Sequence, residues 1–409
     1  VTAARPAEIL RWLEAQREAE TRFLAALVKI PTDNPPGDCA PAAEKAAALL
    51  EQVGFAVARH KVPEALARAN GMISAANLVI RRRFGPGPVV ALNAHGDVVP
   101  PGEGWSVDPY GAVIRDGAMY GRGVAVSKSD FATYAFSVKA LEAAGQARGT
   151  VELHFTYDEE AGGAIGPAWL LAEKITTPDF AISAGFSYAI TTAHNGCLHL
   201  EVAVRGKSAH AAEPQNGRDA LAAATHILNA LYALRPGLAR AVSKTPGIGA
   251  PNLTVGLIKG GINTNVVPDL VTFRLDRRII PEEKPAEVEA ALRWHIEEAA
   301  RTLPGISVEI RRILLAEPLV PRPGSERLVA AIGRRAREVL GEEIKATGVP
   351  LYTDARHYSA AGIPTVLYGA GPRTLAESNG HRADERLKLD DLFKATKIVA
   401  LALADILDA

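Results

Sequence analysis

The chain has 409 residues, more than one hydrophobic core of ~250 to 300 residues holds, so two or three domains are expected. Its 46 Lys plus Arg residues balance its 46 Asp plus Glu residues, so no global field draws in nucleic acid or an anionic membrane, and the expected partner is a small molecule. Only Cys39 and Cys197 occur, which supports neither a disulfide framework nor a thiolate zinc site and fits a reducing, cytoplasmic compartment.

The opening stretch VTAARPAEILRWLEAQREAE mixes charged and apolar residues at helical spacing with no uninterrupted apolar run. It reads as a soluble amphipathic helix over about 6–28, and an alanine-rich helix is expected over 42–53. Short β-branched runs at 77–80 (NLVI), 88–94 (PVVALNA) and 151–157 (VELHFTY) alternate with helical stretches. This is the pattern of an α/β domain with a largely parallel core sheet, in which active residues gather at strand ends. Near Asn195 the pattern changes. LHLEVAVRG (198–206), a helix over 219–234, NLTVGLIKG (252–260), DLVTFRLDRR (269–278), a helix over 284–302 and ISVEIRRI (306–313) make a small α/β sandwich. After EPLVPRPG (317–324) the helix–strand alternation of the N-terminal part resumes, so the small domain reads as an insertion, with boundaries at 1–194, 195–314 and 315–409.

Four clusters fall at expected strand ends: NAHGDVVP (93–100), GRGVAVSKSD (121–130), TYDEEAGG (156–163) and NGHRADERL (379–387). The second fails as a phosphate loop, because with Lys128 as the phosphate lysine the required glycine positions fall on Arg122 and Ser127. In the first, Asp97 stands two residues after His95, placed to orient an imidazole. In the third, adjacent Glu159 and Glu160 point to different sides if the backbone is extended, so that one can bind a metal while the other handles a proton. Taken singly, HGD reads equally as a turn after a strand and EE as a solvated acidic loop.

Together with RGKSAHAAEPQNGRDA (205–220), GGINTNVVPDLVTFRLDRR (260–278) and YTDARH (352–357), these stretches resemble the M20 metallopeptidase family over nearly the whole chain. The likeness is to members of the aminoacylase, acetylornithine deacetylase, succinyl-diaminopimelate desuccinylase and glutamate carboxypeptidase type. It implies an α/β, zinc-exopeptidase-like catalytic domain with an inserted α/β sandwich lid through which the chain forms a homodimer. It also implies hydrolysis of an amide bond in a small carboxylate-bearing substrate, such as an N-acyl amino acid or a dipeptide. By the same resemblance, His95, Glu160 and His381 bind metal, Glu159 is the general base, and His210 stabilises the oxyanion. Asn265 and Arg278 recognise the substrate carboxylate, and Arg356 or His357 contacts substrate from a loop bordering the pocket.

Two positions depart from the family pattern. The metal-bridging aspartate of G-R-G-x-x-D-x-K-G is Val126, and the acidic ligand expected in DFAISAGFSY (179–188) aligns with Gly185. Two cations about 3.5–4 Å apart need bridging negative charge, so a dinuclear site is not expected. What remains is a His₂Glu set suited to one divalent ion, zinc by its composition. In the family the two histidines serve different metals, so a single ion requires side-chain readjustment or help from Asp130. A metal-free site is the alternative, with Lys128 and the acids performing ring-opening hydrolysis, deamination or isomerisation. A non-catalytic binding protein is a third reading, weakened by the presence together of Glu159, His210 and Arg278. His154 reads as a core residue and Trp105 as a packed aromatic, while His60, His194, His199, His226 and His295 show no partner spacing.

Overall fold

The computed structural model describes residues 4–409, so the first three residues of the expected amphipathic stretch lie outside the described residues. The chain divides into two compact units, one made of residues up to 192 with 321–347 and 353–409, the other of 193–320 with 348–352. Among the described residues no helix is long and apolar enough to cross a membrane.

The first unit is built on an eight-stranded sheet in the order Ala58–Lys61, Ala76–Arg83, Thr150–Thr156, Val89–His95, Phe180–Ser183, Thr365–Leu367, Ala189–His194, Lys345–Val349. Its centre is parallel as expected: Val89–His95 runs alongside Thr150–Thr156 and Phe180–Ser183, and Phe180–Ser183 runs alongside Thr365–Leu367. Towards the edges, Ala76–Arg83 and Ala58–Lys61 are antiparallel, which a hydrophobic pattern alone does not distinguish. The central strands are buried along their length, the condition under which strands read as continuous apolar runs.

Helix Lys128–Ala143 is buried from Lys128 through Val138. It packs between the sheet and the helices Ala4–Val28 and Leu389–Asp408, so it needs apolar or paired residues on every face. Phe131 stacks on Phe155 of the sheet at 3.9 Å between ring centroids, and Ser137 Oγ donates to the Thr396 carbonyl at 3.1 Å. Glu20 is buried in the same layer, where its carboxyl accepts from Thr396 Oγ1.

The second unit has an antiparallel sheet in the order Asn252–Gly260, Leu270–Ile279, Gly196–Arg205, Ser307–Ala316, backed by helices Ala220–Ala233 and Pro285–Arg301. Asp219 caps the first helix, its Oδ1 accepting from the amides of Leu221 and Ala222 at 2.8 and 3.0 Å. Alternation sets the faces. Leu198, Leu200, Val202 and Val204 point into the core with Val271, Phe273 and Leu275, and the intervening residues face the other side.

Burial pushes Glu20 up to about 8 from its ordinary 4.5, against the lowering effects of Thr396, Arg17 and Lys397. The folded chain therefore keeps a proton that the unfolded chain loses between those values, so stability falls as pH rises from 4.5 to 8 and levels off above. Glu20→Gln carries no such penalty. Thermal melts should show the variant a few degrees more stable than wild type at pH ~8.5 and nearly equal to it at pH ~4.5; a gain independent of pH would refute the linkage.

Candidate active site

His95 ends the Val89–His95 strand, and the chain turns at once through Gly96, where a Cβ would meet the Tyr157 ring at 2.5 Å. Only glycine fits there. Nδ1 of His95 lies 2.9 Å from the main-chain oxygen of Asp97. That oxygen can only accept, so Nδ1 carries a proton, and Nε2 is the nitrogen that a metal would take by displacing its proton. The Asp97 carboxylate is also near, with Oδ1 at 3.4 Å from Nδ1.

The main work of that carboxylate lies elsewhere. Asp97 is fully buried, its Oδ1 accepts from the Glu159 amide at 3.2 Å, and its Oδ2 accepts from the Glu160 amide at 3.1 Å and from Asn34 Nδ2 at 2.9 Å. These bonds hold Glu159–Ala161 in a turn of 3₁₀ helix, so the condition of an extended backbone, under which the two glutamates would point to different sides, is not met. As a result both glutamates take part in one cluster. A ligand atom from each of His95, Glu159 and Glu160 lies within 4.8 Å of the other two.

The electrostatics follow from that crowding. Burial works against the charged imidazole of His95, but the bond to Asp97 and the negative charges of Glu159, Asp97 and Glu160 outweigh it and hold His95 well above 6.5. Burial pushes Glu159 up to about 7, countered by His95 and reinforced by Glu160 and Asp97. A carboxyl poised there suits proton transfer near neutral pH. The surplus of carboxylates around one imidazole favours a cation, and the donor set of one imidazole nitrogen and carboxylate oxygens suits a divalent ion such as zinc.

The other expected residues sit as follows. His381 meets Glu160, Nε2 to Oε1 at 3.3 Å, and is raised by that hydrogen bond against burial, but it does not join the three-residue cluster. Arg356 is buried, donating to the carbonyls of Gly162 and Thr353, so its guanidinium holds the loop that follows Glu160. His357 Nε2 is 3.3 Å from the same Gly162 oxygen. In the second unit, His210 is exposed and its Nδ1 accepts from the Ala212 amide at 3.1 Å. Val266 stands opposite it in a short ladder, and just beyond, the Ala211 amide donates to the Asn265 carbonyl at 2.9 Å. Arg278 pairs with Asp276, Nε to Oδ1 at 3.1 Å.

The two departures have different surroundings. Val126 is half-buried in a loop pinned by Glu385, which accepts from the Ala125 amide at 3.0 Å and pairs with buried Arg122 at 2.6 Å. Neither Arg122 nor Glu385 stood out in the sequence, since their partnership spans 263 positions. Trp105 packs under Arg122 with 5.2 Å from guanidinium to ring, the packed aromatic expected. At Gly185 a Cβ would stand 2.7 Å from Leu367 Cβ and 2.8 Å from the Leu367 and Tyr368 backbone, so no side chain is accommodated. Asp130 is buried. Its Oδ1 accepts from the Ala370 amide at 2.8 Å, and burial pushes it up to about 7. Lys128 Nζ donates to the Ile30 carbonyl at 2.7 Å, with burial lowering it to about 8. His154 is the satisfied core residue expected, held by Tyr358 and Glu152.

A mixed sheet with a parallel centre carries an imidazole and an acid pair at its strand ends, and a separate small α/β unit is inserted in the chain, an arrangement suited to hydrolytic chemistry. The chain belongs to peptidase family M20/M25/M40, whose model matches residues 91–405. It is similar to succinyl-diaminopimelate desuccinylase of Sulfurimonas denitrificans, with 28% identity over 78% of this chain and 86% of that protein. Among solved structures it resembles an M20 family metallo-carboxypeptidase from Sulfolobus solfataricus, with a TM-score of 0.79 at 19% identity over 95% of this chain and 99% of the other. It also resembles a di-peptidase from Saccharomyces cerevisiae, with a TM-score of 0.78 at 15% identity over 99% of each chain. The chain is therefore an M20-type peptidase or amidohydrolase.

Because backbone closes over Gly185, Gly185→Glu should not restore a ligand. The variant is expected to lose about 1–3 kcal/mol of stability through overpacking and to bind no more metal than wild type. A melting temperature equal to wild type, together with an additional bound ion, would contradict the crowding argument.

Proposed function

We propose that the chain hydrolyses the amide bond of a small substrate with a free carboxylate, an N-acyl amino acid or a dipeptide, with Glu159 as general base. The observation that carries this reading is the convergence of His95, Glu159 and Glu160 at the end of the parallel strands. The named activities of the desuccinylase and di-peptidase relatives support the substrate class. His95 and Glu160, with His381 beside Glu160, would hold one divalent ion, zinc by donor type. When bound, such an ion supplies Lewis acidity toward water and the scissile carbonyl.

Glu159 takes the proton from the attacking water and returns it to the leaving amine, the double duty that a carboxyl near pH 7 performs well. Asp97 keeps it aimed by fixing its amide, and the Nδ1 bond of His95 keeps Nε2 facing the site. The same proposal assigns His210 to the oxyanion, Asn265 and Arg278 to the substrate carboxylate, and the 193–320 unit to homodimerisation. The Val126 and Gly185 substitutions favour one ion over two, and they keep a metal-independent acid–base reaction as the second reading.

Two measurements separate these. Glu159→Gln should lower kcat by ~10²- to 10⁴-fold with little change in KM on N-acyl amino acids or dipeptides; a variant that keeps its rate removes Glu159 from the role. Elemental analysis of zinc-loaded, dialysed wild type and Glu160→Ala should differ by one equivalent. No difference would turn the reading to acid–base chemistry, and two would return it to a dinuclear site.

A further inference from the structure

Three chemically different donors converge in the second unit. Cys197 and His199 are two apart on the Gly196–Arg205 strand and so share a face, the one turned away from the helices. Asp276 stands directly opposite His199 on the Leu270–Ile279 strand, and Arg278 stands opposite Cys197. The three tips nearly touch: Cys197 Sγ to His199 Nε2 at 3.1 Å, Cys197 Sγ to Asp276 Oδ2 at 3.4 Å, and His199 Nε2 to Asp276 Oδ2 at 2.8 Å.

A nucleophilic relay is the first reading to weigh, and the geometry excludes it. In a relay the base takes the nucleophile's proton on one ring nitrogen and is oriented by the acid through the other. Here thiol and carboxylate both face the same nitrogen, Nε2. A thiol proton and an imidazole proton can serve at most two of the three mutual contacts. One cation at the centre serves all three atoms at once.

We propose that Cys197, His199 and Asp276 form a zinc site in the second unit, with solvent in the fourth position. Zinc bonds of about 2.3 Å to sulfur and about 2.0–2.2 Å to nitrogen and oxygen set the edges of a tetrahedron at about 3.3–3.6 Å. The observed separations need only a few tenths of an ångström of opening. A thiolate and a carboxylate cancel the dication's charge, and thiolate with imidazole selects zinc over magnesium or calcium. Arg278 holds the carboxylate's other oxygen, Nε to Oδ1 at 3.1 Å, the type of support that orients a ligand. Cys197 is buried, while the side chains of His199 and Asp276 are 35% and 25% exposed, which leaves an approach for the ion. The two cysteines of the sequence argued against a thiolate zinc site, and a site with a single thiolate departs from that expectation, because Asp276 is invisible as a partner at 77 positions from His199.

The site shares Arg278 with the catalytic reading, but its test reads sulfur alone. Cobalt(II) titrated into the reduced full-length chain should give a near-ultraviolet thiolate-to-cobalt charge-transfer band that saturates by two equivalents, since the active site can take one, and is abolished by zinc. The band should persist in Cys39→Ser and vanish in Cys197→Ser, while Asp276→Asn and His199→Gln should each weaken cobalt binding at least ten-fold. No band in wild type, or a band that survives Cys197→Ser, overturns the proposal whatever the fate of Glu159. If Cys197→Ser fails to fold, His199→Gln decides: it retains the thiol, and unchanged cobalt affinity would reject the site.

Discussion

The candidate active site depends on one buried carboxylate, that of Asp97. It binds the amides of both glutamates and the side chain of Asn34, while its own main-chain oxygen takes the His95 proton. Hydrogen bonds to a charged acceptor contribute about 1.5–3 kcal/mol each, enough to hold a 3₁₀ turn in which three acidic groups crowd one imidazole. Without that clamp, mutual repulsion between Glu159, Glu160 and Asp97 would spread the cluster. The same residue therefore fixes which imidazole nitrogen keeps its proton, sets the turn conformation and adds to the burial that raises Glu159 to about 7.

Around this centre the chain differs from its family resemblance at the two positions that would add negative charge. Val126 sits in a loop pinned by the Arg122–Glu385 pair, so that loop is held without the aspartate the family pattern predicts. At Gly185 the surrounding backbone leaves no volume for a side chain. One change is thus a replacement within a kept loop, and the other is built into the packing between strands. Asp130, which the sequence offers as a substitute, accepts the Ala370 amide on one of its oxygens. The charge that raises His95 comes from the acid pair and Asp97.

The second unit repeats the same physical theme on a different scaffold. In the first unit a loop after a parallel strand gathers donors. In the second, an antiparallel ladder does so by register, setting His199 against Asp276 and Cys197 against Arg278. Arg278 consequently has an aspartate for a neighbour, and its charge is partly spent on orienting it.

Much of the fold was legible in the sequence because periodicity is local. The strands 89–95, 150–156 and 196–205 and the helices 220–233 and 285–301 each announce themselves through β-branched runs, alternation or a capping aspartate. The chemistry of His95, Glu159, Glu160 and His381 was legible for a different reason, as short motifs whose residue types have few other uses together. What only the tertiary structure decided are relations between distant segments. Asp97 to Glu159, Arg122 to Glu385, Asp130 to Ala370, and Cys197 and His199 to Asp276 join residues from 62 to 263 positions apart. A sequence records which donors a chain possesses. Which of them share a point in space is decided by strand register and by the backbone amides that a buried charge must find.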